Sequence, residues 1–343
     1  MTSVSIVITN HNYERFVTNA VESALGQTVT CQVVVVDDGS SDGSLARLQE
    51  LTDRIDLVTK PNGGQASAFN AGWKAARGEV VMFLDGDDVL AADAAQRVAT
   101  ALAADPGAVR CQFRLQWIDG DGNRIPGSFP EPDRRLPAGD LVDRVLSNPD
   151  DIAWQPTSGN AFTSRVLSSL LPMPEEPYRI SADHYLSNLS ALYGSVVAIE
   201  SDLGFYRVHG ANADHRAVVD MDRLRDIMVR TVQTRRLVIE HGRSLGLAVP
   251  PDVNRFRSLT HSAARLASWR VDRVSSGRHG TTGHRHPFAG DHYRQLVVDG
   301  MRAAAARRDL GPAGRVKAMA WIATLAVAPR TLVPRALGMG LTR

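Results

Sequence analysis

The chain has 343 residues, of which 43% are hydrophobic and 22% are charged; this composition is typical of a soluble globular protein of about two domains. Its 28 glycines and 17 prolines exclude collagen-like and low-complexity chains. The two cysteines, Cys31 and Cys111, have no metal-ligand spacing and form no disulfide framework, so we expect a reducing compartment. We find no signal-peptide pattern, and no run of about eighteen apolar residues predicts a spanning helix.

The charge is divided unevenly along the chain. Residues 210–343 hold 23 arginines and lysines against 10 aspartates and glutamates, a balance of +13, whereas residues 1–209 have a balance of −11. An acidic front and a basic back indicate two regions with different roles. We therefore predict a boundary near residue 212 and a basic region over 213–343.

The first 105 residues alternate between strand and helix patterns. Continuous apolar runs of strand length, typical of parallel strands covered on both faces, occur at 3–9, 31–36 and 79–84. A first helix is predicted after Asn12, which would cap it, and a second after Ser41 and Asp42. A third helical pattern covers 65–76. This alternation predicts a doubly wound α/β sheet.

The second half of the predicted sheet domain has mixed structure. Its predicted elements are a strand at 110–118 with a hairpin at 119–122, a long loop, a helix at 181–193, and strands at 195–200 and 204–208. Beyond about residue 215 the pattern is helical, with a break near 275–290. We find no internal repeat.

Carboxylates follow two of the predicted strands. Asp37 and Asp38 come after the second strand, and Asp85, Asp87 and Asp88 come after the third. The carboxyl ends of strands are where open α/β sheets bind ligands. Two carboxylates spaced i and i+2 suit a hard cation such as Mg²⁺ or Mn²⁺. The alternative is that Asp and Gly simply form turns at these positions.

Several motifs in order resemble the family 2 glycosyltransferases, which have the GT-A fold. They are the first strand with its polar TNHN, the DDGSSDGS segment, NGG before a helix, and the DxD-type triplet Asp85-Gly86-Asp87. The resemblance covers about residues 3–210. It implies a GT-A catalytic domain over 1–212 with a mixed sheet, divided into a nucleotide-sugar half at 1–105 and an acceptor half at 106–212. Residues 213–343 would be a helical C-terminal region.

The resemblance also implies a donor site and a metal site. The residues expected to bind the nucleotide sugar are Thr9, Asn10, Asp38, Gly64, Asn70, Asp85 and Gly86. Asp87, with Asp85, would bind Mn²⁺ or Mg²⁺, because a nucleoside diphosphate leaves more easily once its developing charge is neutralised. Many members have Ala-Arg-Asn where this chain has Ala68-Phe69-Asn70, so no cation from this helix is expected to assist the donor.

Asp183 opens an amphipathic helix within the segment SADHY. The segment is similar to the family's ED or DD motif, whose aspartate is the general base of inverting members. Asp183 is therefore expected to take the proton of the acceptor hydroxyl. The alternative is an aspartate favoured only by the positive end of the helix. His184 is a rival base, although we expect it at the surface or in the acceptor pocket.

Two further segments resemble family motifs. Arg207 and His209 lie on one face of a predicted strand in a YRxHxxN-like segment. We expect His209 to bind the metal or the diphosphate, with Arg207 nearby. The alternatives are a structural Arg–Asp pair and a histidine whose hydrogen bonds are satisfied within the fold. The segment WQPTSGNAF resembles the acceptor side of the cleft, where Trp154 and Asn160 are expected to contact the acceptor sugar.

The basic C-terminal region leaves alternatives open. The apolar run 318–328 and its flanking arginines suit a helix in an anionic membrane interface over 315–343, or a helix packed on the catalytic domain or another subunit. No recognition motif supports nucleic-acid binding. A histidine-rich patch favours a polar loop over a zinc site; its residues are His279, His284, His286 and His292.

These features together predict a metal-dependent, inverting hexosyltransferase. It would use a UDP-, GDP- or dTDP-linked sugar and a glycan, lipid-linked or small-molecule acceptor. We expect it to act in the cytoplasm, in the assembly of cell-envelope polysaccharide. Association with the inner face of the membrane and formation of an oligomer are both left open. The alternatives are a nucleotide-sugar-binding protein without transfer and a nucleotidyltransferase. A nucleotidyltransferase would be expected to have a Gly-rich basic loop after the first strand, whereas this chain has the sequence TNHNYERF at that place.

Overall fold

The computed structural model describes residues 2–209, 221–253, 256, 258–272, 286–288, 290–307 and 310–341. Its contacts divide the chain into two compact units. The α/β unit comprises Met1–Asp143 and Ala153–Ala211, and the helical unit comprises Arg144–Ile152 and Asn212–Arg343. The main division therefore falls beside residue 212, and a short earlier segment also belongs to the helical unit.

The α/β unit is built on one mixed sheet. In the described part of the chain its nine strands are β1 (Val4–Asn10), β2 (Cys31–Asp37), β3 (Asp56–Thr59), β4 (Val80–Asp85), β5 (Val89–Leu90), β6 (Ala108–Ile118), β7 (Arg124–Phe129), β8 (Asn160–Thr163) and β9 (Ser195–Arg207). Their order is β3-β2-β1-β4-β8-β6-β9-β5, and β7 pairs with β6. The first four strands are parallel, whereas β8 runs antiparallel to both β4 and β6.

The parallel half of the sheet is covered on both faces, as the apolar runs predict. All seven residues of β1 are buried, and each buried Val or Ile side chain contributes about 1.5–3 kcal/mol relative to an exposed one. A Cβ placed on Gly72 would lie 2.2 Å from Val7 Cγ1. This glycine therefore sets how closely its helix approaches β1, and any larger residue there would push the helix off the sheet.

Seven helices accompany the described strands. They are α1 (Val17–Leu25), α2 (Ser44–Gln49), α3 (Gln65–Ala75), α4 (Ala94–Ala104), α5 (Val142–Ser147), α6 (Ser164–Leu170) and α7 (Ala182–Ser190). The predicted start of α2 is confirmed, since Asp42 Oδ1 accepts a hydrogen bond from the Ser44 amide at 2.9 Å. Helix α5 spans the point where the chain passes into the helical unit.

Two predictions of local structure are wrong. Asn12 does not cap α1, which begins after Phe16 without a side-chain cap. Asn12 has φ 60°, and its Oδ1 accepts instead from the Ser41 amide at 2.7 Å, so it joins two loops at the sheet edge. The two strands predicted at 195–200 and 204–208 form the single strand β9, which follows β6 through several register shifts.

The helical unit contains α8 (Met221–Ser244), α9 (Leu259–Asp272), α10 (Tyr293–Ala306), α11 (Pro312–Val327) and α12 (Val333–Leu341) in its described residues. Ile322 and Leu325 of α11 are fully buried in its core, and the Trp321 indole donates to the Ala336 carbonyl at 2.8 Å. The apolar run of the C-terminal region therefore packs on helices of its own unit. None of the described helices is both long and apolar enough to cross a membrane.

Candidate active site

Asp38 lies at the carboxyl end of β2 in a shell of hydrogen-bond donors. Its Oδ1 accepts from the Gly63 amide at 2.9 Å, and its Oδ2 accepts from the Gly64 amide at 2.7 Å. Lys60 Nζ also donates to Oδ1. Beside it, Asn10 is 1% exposed and belongs to the same edge through the β1–β2 pairing. Asp38 is thus a fixed carboxylate whose charge is paired with that of Lys60.

Gly64 is required by the backbone at the start of α3. Its φ of +84° lies in the left-handed region, and a Cβ there would meet the Arg179 carbonyl oxygen at 2.7 Å. The next amide, of Gln65, donates to that same carbonyl at 2.8 Å. The glycine therefore lets the loop before α3 lie directly against the segment that precedes α7.

Asp85 ends β4 and shares its Oδ1 between two donors. Thr9 Oγ1 lies 3.4 Å away and Gln65 Nε2 lies 3.2 Å away. Burial, followed by the charges of Asp87 and Asp183, raises the pKa of Asp85 to about 8.

Asp87 and His209 face each other. Asp87 is 5% exposed, and its Oδ2 lies 2.9 Å from His209 Nε2. The imidazole packs against Phe16, with ring centroids 4.9 Å apart, and against Tyr13 at 6.0 Å. Burial, followed by the charges of the neighbouring aspartates, raises the pKa of Tyr13, so its phenol stays protonated. The structure brings His209 to the predicted metal ligand.

Arg207 holds the backbone of this edge. It is 2% exposed; its Nε donates to the Asp87 carbonyl at 2.8 Å and its Nη1 to the Asp119 carbonyl at 3.1 Å. Its own amide donates to Asp88 Oδ1 at 2.8 Å. Asp88 also accepts from Ser158 Oγ at 2.6 Å. These contacts favour the structural alternative for Arg207, which positions the loop that carries Asp87.

The residue types at this edge fit a divalent cation. Asp85, Asp87 and His209 offer two carboxylates and an imidazole, a donor set found with Mn²⁺ and, through its oxygens, Mg²⁺. Among the described residues, no three His, Cys, Asp or Glu side chains already have the geometry of a metal centre. A cation held here by so few protein groups would keep positions for phosphate oxygens.

Asp183 lies in the first turn of α7. Ser181 before it has φ 63°, an uncommon conformation for a residue with a side chain, and the Asp183 Oδ1 accepts from the His184 amide at 2.8 Å. Gln65 Oε1 accepts from the Ala182 amide at 2.8 Å. Gln65 therefore links the start of α7 to Asp85, although the sequence analysis did not single it out. Its place directly after NGG was the available signal.

Trp154 packs against the buried guanidinium of Arg110. Its indole donates to Asn188 Oδ1 at 2.9 Å, and the Arg110 guanidinium lies 4.3 Å from its ring centroid. Arg110 is fully buried and donates to the Ser187 carbonyl at 2.9 Å. Burial lowers the pKa of Arg110 to about 9, against the opposing charges of Cys111 and Asp183. The sequence analysis also missed Arg110, which sits in an apolar strand pattern.

Three other candidates have structural contacts. Asn160 is 1% exposed, and its amide donates to the Gln155 carbonyl at 3.0 Å. The Asn70 side chain donates from Nδ2 to the Met173 carbonyl at 3.0 Å and accepts at Oδ1 from the Met173 amide at 2.8 Å. In the described chain no hydrogen bond joins Asn70 to the strand-end aspartates. Gly86 donates its amide to β1 at 2.9 Å. Ligand contacts by these residues stay predictions, as does the one for the half-buried His184.

A parallel half-sheet with carboxylates at its edge, joined through antiparallel β8 to a second half, defines the GT-A class of α/β proteins. Residues 5–161 match the family described as Glycosyl transferase family 2, and this segment of the chain is assigned to that family.

Named relatives match parts of the chain. An uncharacterized glycosyltransferase of Nostoc sp. is 36% identical over 214 residues, 61% of this chain and 66% of that protein. The succinoglycan biosynthesis protein ExoO of Rhizobium meliloti is 31% identical over 211 residues, 59% of each chain. Chondroitin synthase of Pasteurella multocida is 33% identical over 134 residues, 38% of this chain and 14% of the enzyme. The chain spans less than two thirds of the length of each.

Two solved structures share the fold. TarS 1–349 of S. aureus in complex with UDP-GlcNAc has a TM-score of 0.55 at 17% identity, covering 98% of this chain and 89% of that one. The mannosyltransferase PcManGT of Pyrobaculum calidifontis in complex with GDP-Man and Mn²⁺ has a TM-score of 0.52 at 16% identity, covering 98% and 85%. At such identities the likeness concerns the fold alone.

Proposed function

We propose that this chain transfers a hexosyl group from a nucleoside-diphosphate donor to an acceptor hydroxyl. The observation that carries the proposal is the pair of hydrogen bonds made by the Gln65 side chain. Its Nε2 donates to Asp85 Oδ1 at 3.2 Å, and its Oε1 accepts from the amide of Ala182, next to Asp183, at 2.8 Å. Glycosyl transfer needs a carboxylate for each substrate, one on the donor side and one on the acceptor side, within a single site.

The donor is proposed to bind along the ends of β1, β2 and β4. Asp38, already fixed by two amides and Lys60, would contact the base or ribose through its remaining lone pairs. Asp87 and His209, with Asp85, would hold Mn²⁺ or Mg²⁺. That cation would neutralise the charge that develops on the departing nucleoside diphosphate.

Asp183 is proposed as the general base of an inverting transfer. Its carboxylate would take the acceptor hydroxyl's proton while the hydroxyl oxygen attacks the anomeric carbon from the side opposite the leaving group. The His184 amide, which donates to its Oδ1 at 2.8 Å, holds the carboxylate in place. Trp154, resting on Arg110 at 4.3 Å, would offer its ring face to the acceptor sugar.

The relatives support a class of donor and a class of acceptor, but they do not identify the individual donor or acceptor. Structures of the same fold carry UDP-GlcNAc and GDP-Man, so UDP- and GDP-linked sugars are the first candidates and a dTDP-linked sugar follows. Relatives named for succinoglycan biosynthesis and chondroitin synthesis support a glycan or lipid-linked acceptor in polysaccharide assembly. A cytoplasmic site of action fits such donors.

Calorimetric titration with UDP, GDP, dTDP and CDP, each with and without Mn²⁺, tests the donor site. We expect metal-dependent binding of one nucleotide to the wild-type protein and to Asp53→Ala, which removes an exposed carboxylate. Asp87→Ala should lose that binding. A protein that binds none of the four nucleotides would contradict the proposal.

The released product separates the alternatives. A glycosyltransferase releases the nucleoside diphosphate and a nucleotidyltransferase releases pyrophosphate, whereas a binding protein without activity releases neither. We expect the nucleoside diphosphate, and its release should depend on the acceptor. The four aspartates of the site argue for transfer, because binding alone does not require a positioned base.

A further inference from the structure

The helical unit contains a cavity of about 470 Å³, within the size range of small-molecule sites. It lies between helices α8, α9 and α10 and the segments before α9 and α10. Its described lining is rich in charged and polar side chains: Arg235, Asp252, Phe256, His261, Ser262, Arg265, Gly290, Asp291, His292, Gln295, Leu296, Asp299 and Arg302. None of these belongs to the proposed transfer site, and the sequence analysis singled out only His292 among them.

His261 is the unusual member of this lining. Its side chain lies at the cavity wall but is only 6% exposed. Neither ring nitrogen has a hydrogen-bond partner within the described residues. A buried imidazole without partners is unfavourable, so its retention at a cavity wall points to a ligand that supplies the missing bonds. Burial, with the charges of Arg235 and Arg265, lowers the pKa of His261 well below its usual range.

The two buried cations beside His261 are already balanced. Arg235 donates through Nε and Nη2 to Asp150 Oδ2. Arg265 donates through Nε at 2.9 Å and through Nη2 to the two oxygens of Asp291. Each pair is neutral as a whole, and among the described residues no acceptor bonds the Nη1 group of either arginine. The pairs therefore offer donors without an excess of positive charge.

A neutral imidazole presents one N–H donor and one bare nitrogen acceptor. This combination matches a hydroxyl group, which donates one hydrogen bond and accepts another. An oxyanion would use only the donor. Asp252 and Asp299 add two carboxylates to the lining, and Arg302 adds one guanidinium. Since Arg235 and Arg265 each have an aspartate partner, the lining has no excess of positive charge, which favours an uncharged polyhydroxyl ligand over a phosphate.

We propose that this cavity, defined as the His261 pocket, binds an uncharged sugar residue. Phe256, 5% exposed and 5.6 Å from the Arg235 guanidinium, gives the pocket an apolar wall for the carbon face of the ring. Arg235 and Arg265 donate to sugar oxygens, and His261 both donates and accepts. The site is separate from the proposed transfer site and needs no nucleotide.

Saturation-transfer NMR with glucose, galactose, mannose and N-acetylglucosamine tests the pocket, with ³¹P line broadening of inorganic phosphate as the comparison. We expect one of the sugars to bind and to raise the melting temperature of the wild-type protein. His261→Leu should weaken that binding by about tenfold or more. The folding of this variant is secure, since it replaces an unpartnered polar group with an apolar one of similar size. Ser262→Ala, a smaller change in the same lining, should weaken it less.

Two controls separate this site from the transfer site. His241→Gln changes a histidine of the same unit outside the cavity lining and should bind the sugar as the wild type does. Asp183→Asn should also keep the sugar signal, and nucleotide titration of His261→Leu should match that of the wild type. Sugar signals lost in Asp183→Asn but kept in His261→Leu would place the ligand in the transfer site and overturn the proposal. Binding of phosphate alone, or of no probe, would overturn it as well.

Discussion

The α/β unit and the helical unit bury charged groups in opposite ways. At the strand ends, burial and neighbouring carboxylates raise the pKa of Asp85 to about 8 and that of Asp88 well above its usual range, so each carboxyl group opposes the ionisation of the next, and a bound cation would relieve that repulsion. In the helical unit, each buried guanidinium has its own aspartate, as in Arg235–Asp150. The first arrangement suits a cation and a charged substrate, and the second suits an uncharged ligand.

The largest expected effect tests the acidic side of this comparison. Asp183→Asn keeps the shape of the side chain and removes its ability to accept a proton. We expect transfer to fall by about 10²–10⁴-fold, the usual contribution of a positioned base. Nucleotide binding should stay unchanged, because Asp183 is assigned to the acceptor. Steady-state transfer assays and calorimetry on this variant and on Asp53→Asn measure both quantities. Wild-type turnover by Asp183→Asn would remove this residue from the mechanism.

Asp87→Ala tests whether the strand-end carboxylates act through a cation. We expect transfer to fall by about 10²–10³-fold, as when a charge-stabilising group is removed. The Mn²⁺ dependence of nucleotide binding should disappear with it. Of the three proposed ligands, Asp85 and His209 would remain, and His209 would lose the Asp87 oxygen that lies 2.9 Å from its Nε2. Equal nucleotide affinity with and without Mn²⁺ in the wild-type protein would contradict the assignment of Asp87.

In the helical unit, a comparable change should affect stability. Asp150→Ala leaves the Arg235 guanidinium, 3% exposed, as an uncompensated buried charge. Removing one partner of a buried pair destabilises by about 3–5 kcal/mol. The control is Asp121→Ala, which breaks the pair Arg15–Asp121 with 65% and 75% exposed side chains and should change stability by about 0–1 kcal/mol. Urea unfolding of both variants checks the contrast; equal midpoints would mean that the helical unit does not depend on its paired charges.

Two glycines with similar φ angles show how tightly the loop at the transfer site is packed. Gly64 and Gly139 both lie in the α/β unit, with φ +84° and +83°. An alanine at Gly139 meets nothing within 4 Å, whereas at Gly64 its Cβ would lie 2.7 Å from the Arg179 carbonyl oxygen. Gly139→Ala should therefore cost about 1–2 kcal/mol of backbone strain. Gly64→Ala should cost about 1–3 kcal/mol more, because a well-packed neighbour must move.

Thermal unfolding and nucleotide titration of the two variants check this difference. Gly64→Ala should also weaken nucleotide binding, since the Gly63 and Gly64 amides hold Asp38. Gly139→Ala should leave that binding unchanged. Equal losses of stability in the two variants would show that the contact with Arg179 does not constrain the loop.

Local sequence patterns predicted the parallel half-sheet and the aspartates at its edge, because an apolar run or a strand-end carboxylate can be recognised within a few residues. Contacts between segments far apart in the chain could not be predicted in this way. The insertion of β8 between β4 and β6 depends on pairing across about eighty residues. Gln65 and Arg110 draw their roles from partners on other elements, and Asn160 reads as a polar cleft residue until its burial is seen.

The smallest expected effect concerns the basic C-terminal helices. Part of the apolar run of α11 packs in the core of the helical unit, where Ile322 is fully buried. Deletion of the helix would therefore disrupt that core and would not test membrane binding. Val316 and Val327 are instead 60% and 79% exposed, and Lys317 and Arg330 lie close to them in sequence. If this surface contacts anionic lipid, exposed apolar and basic residues must act together.

Flotation with anionic and neutral vesicles compares the wild-type protein with Val316→Asp/Val327→Asp and with Val229→Asp, a control at a 50% exposed valine of α8. A lipid contact predicts flotation with anionic vesicles only, and a fall of more than about tenfold in the double variant, since each buried valine contributes about 1.5–3 kcal/mol and about 1.4 kcal/mol corresponds to tenfold. The Val229→Asp control should float as the wild type does. Equal flotation of all three proteins would leave α11 with its packing role alone.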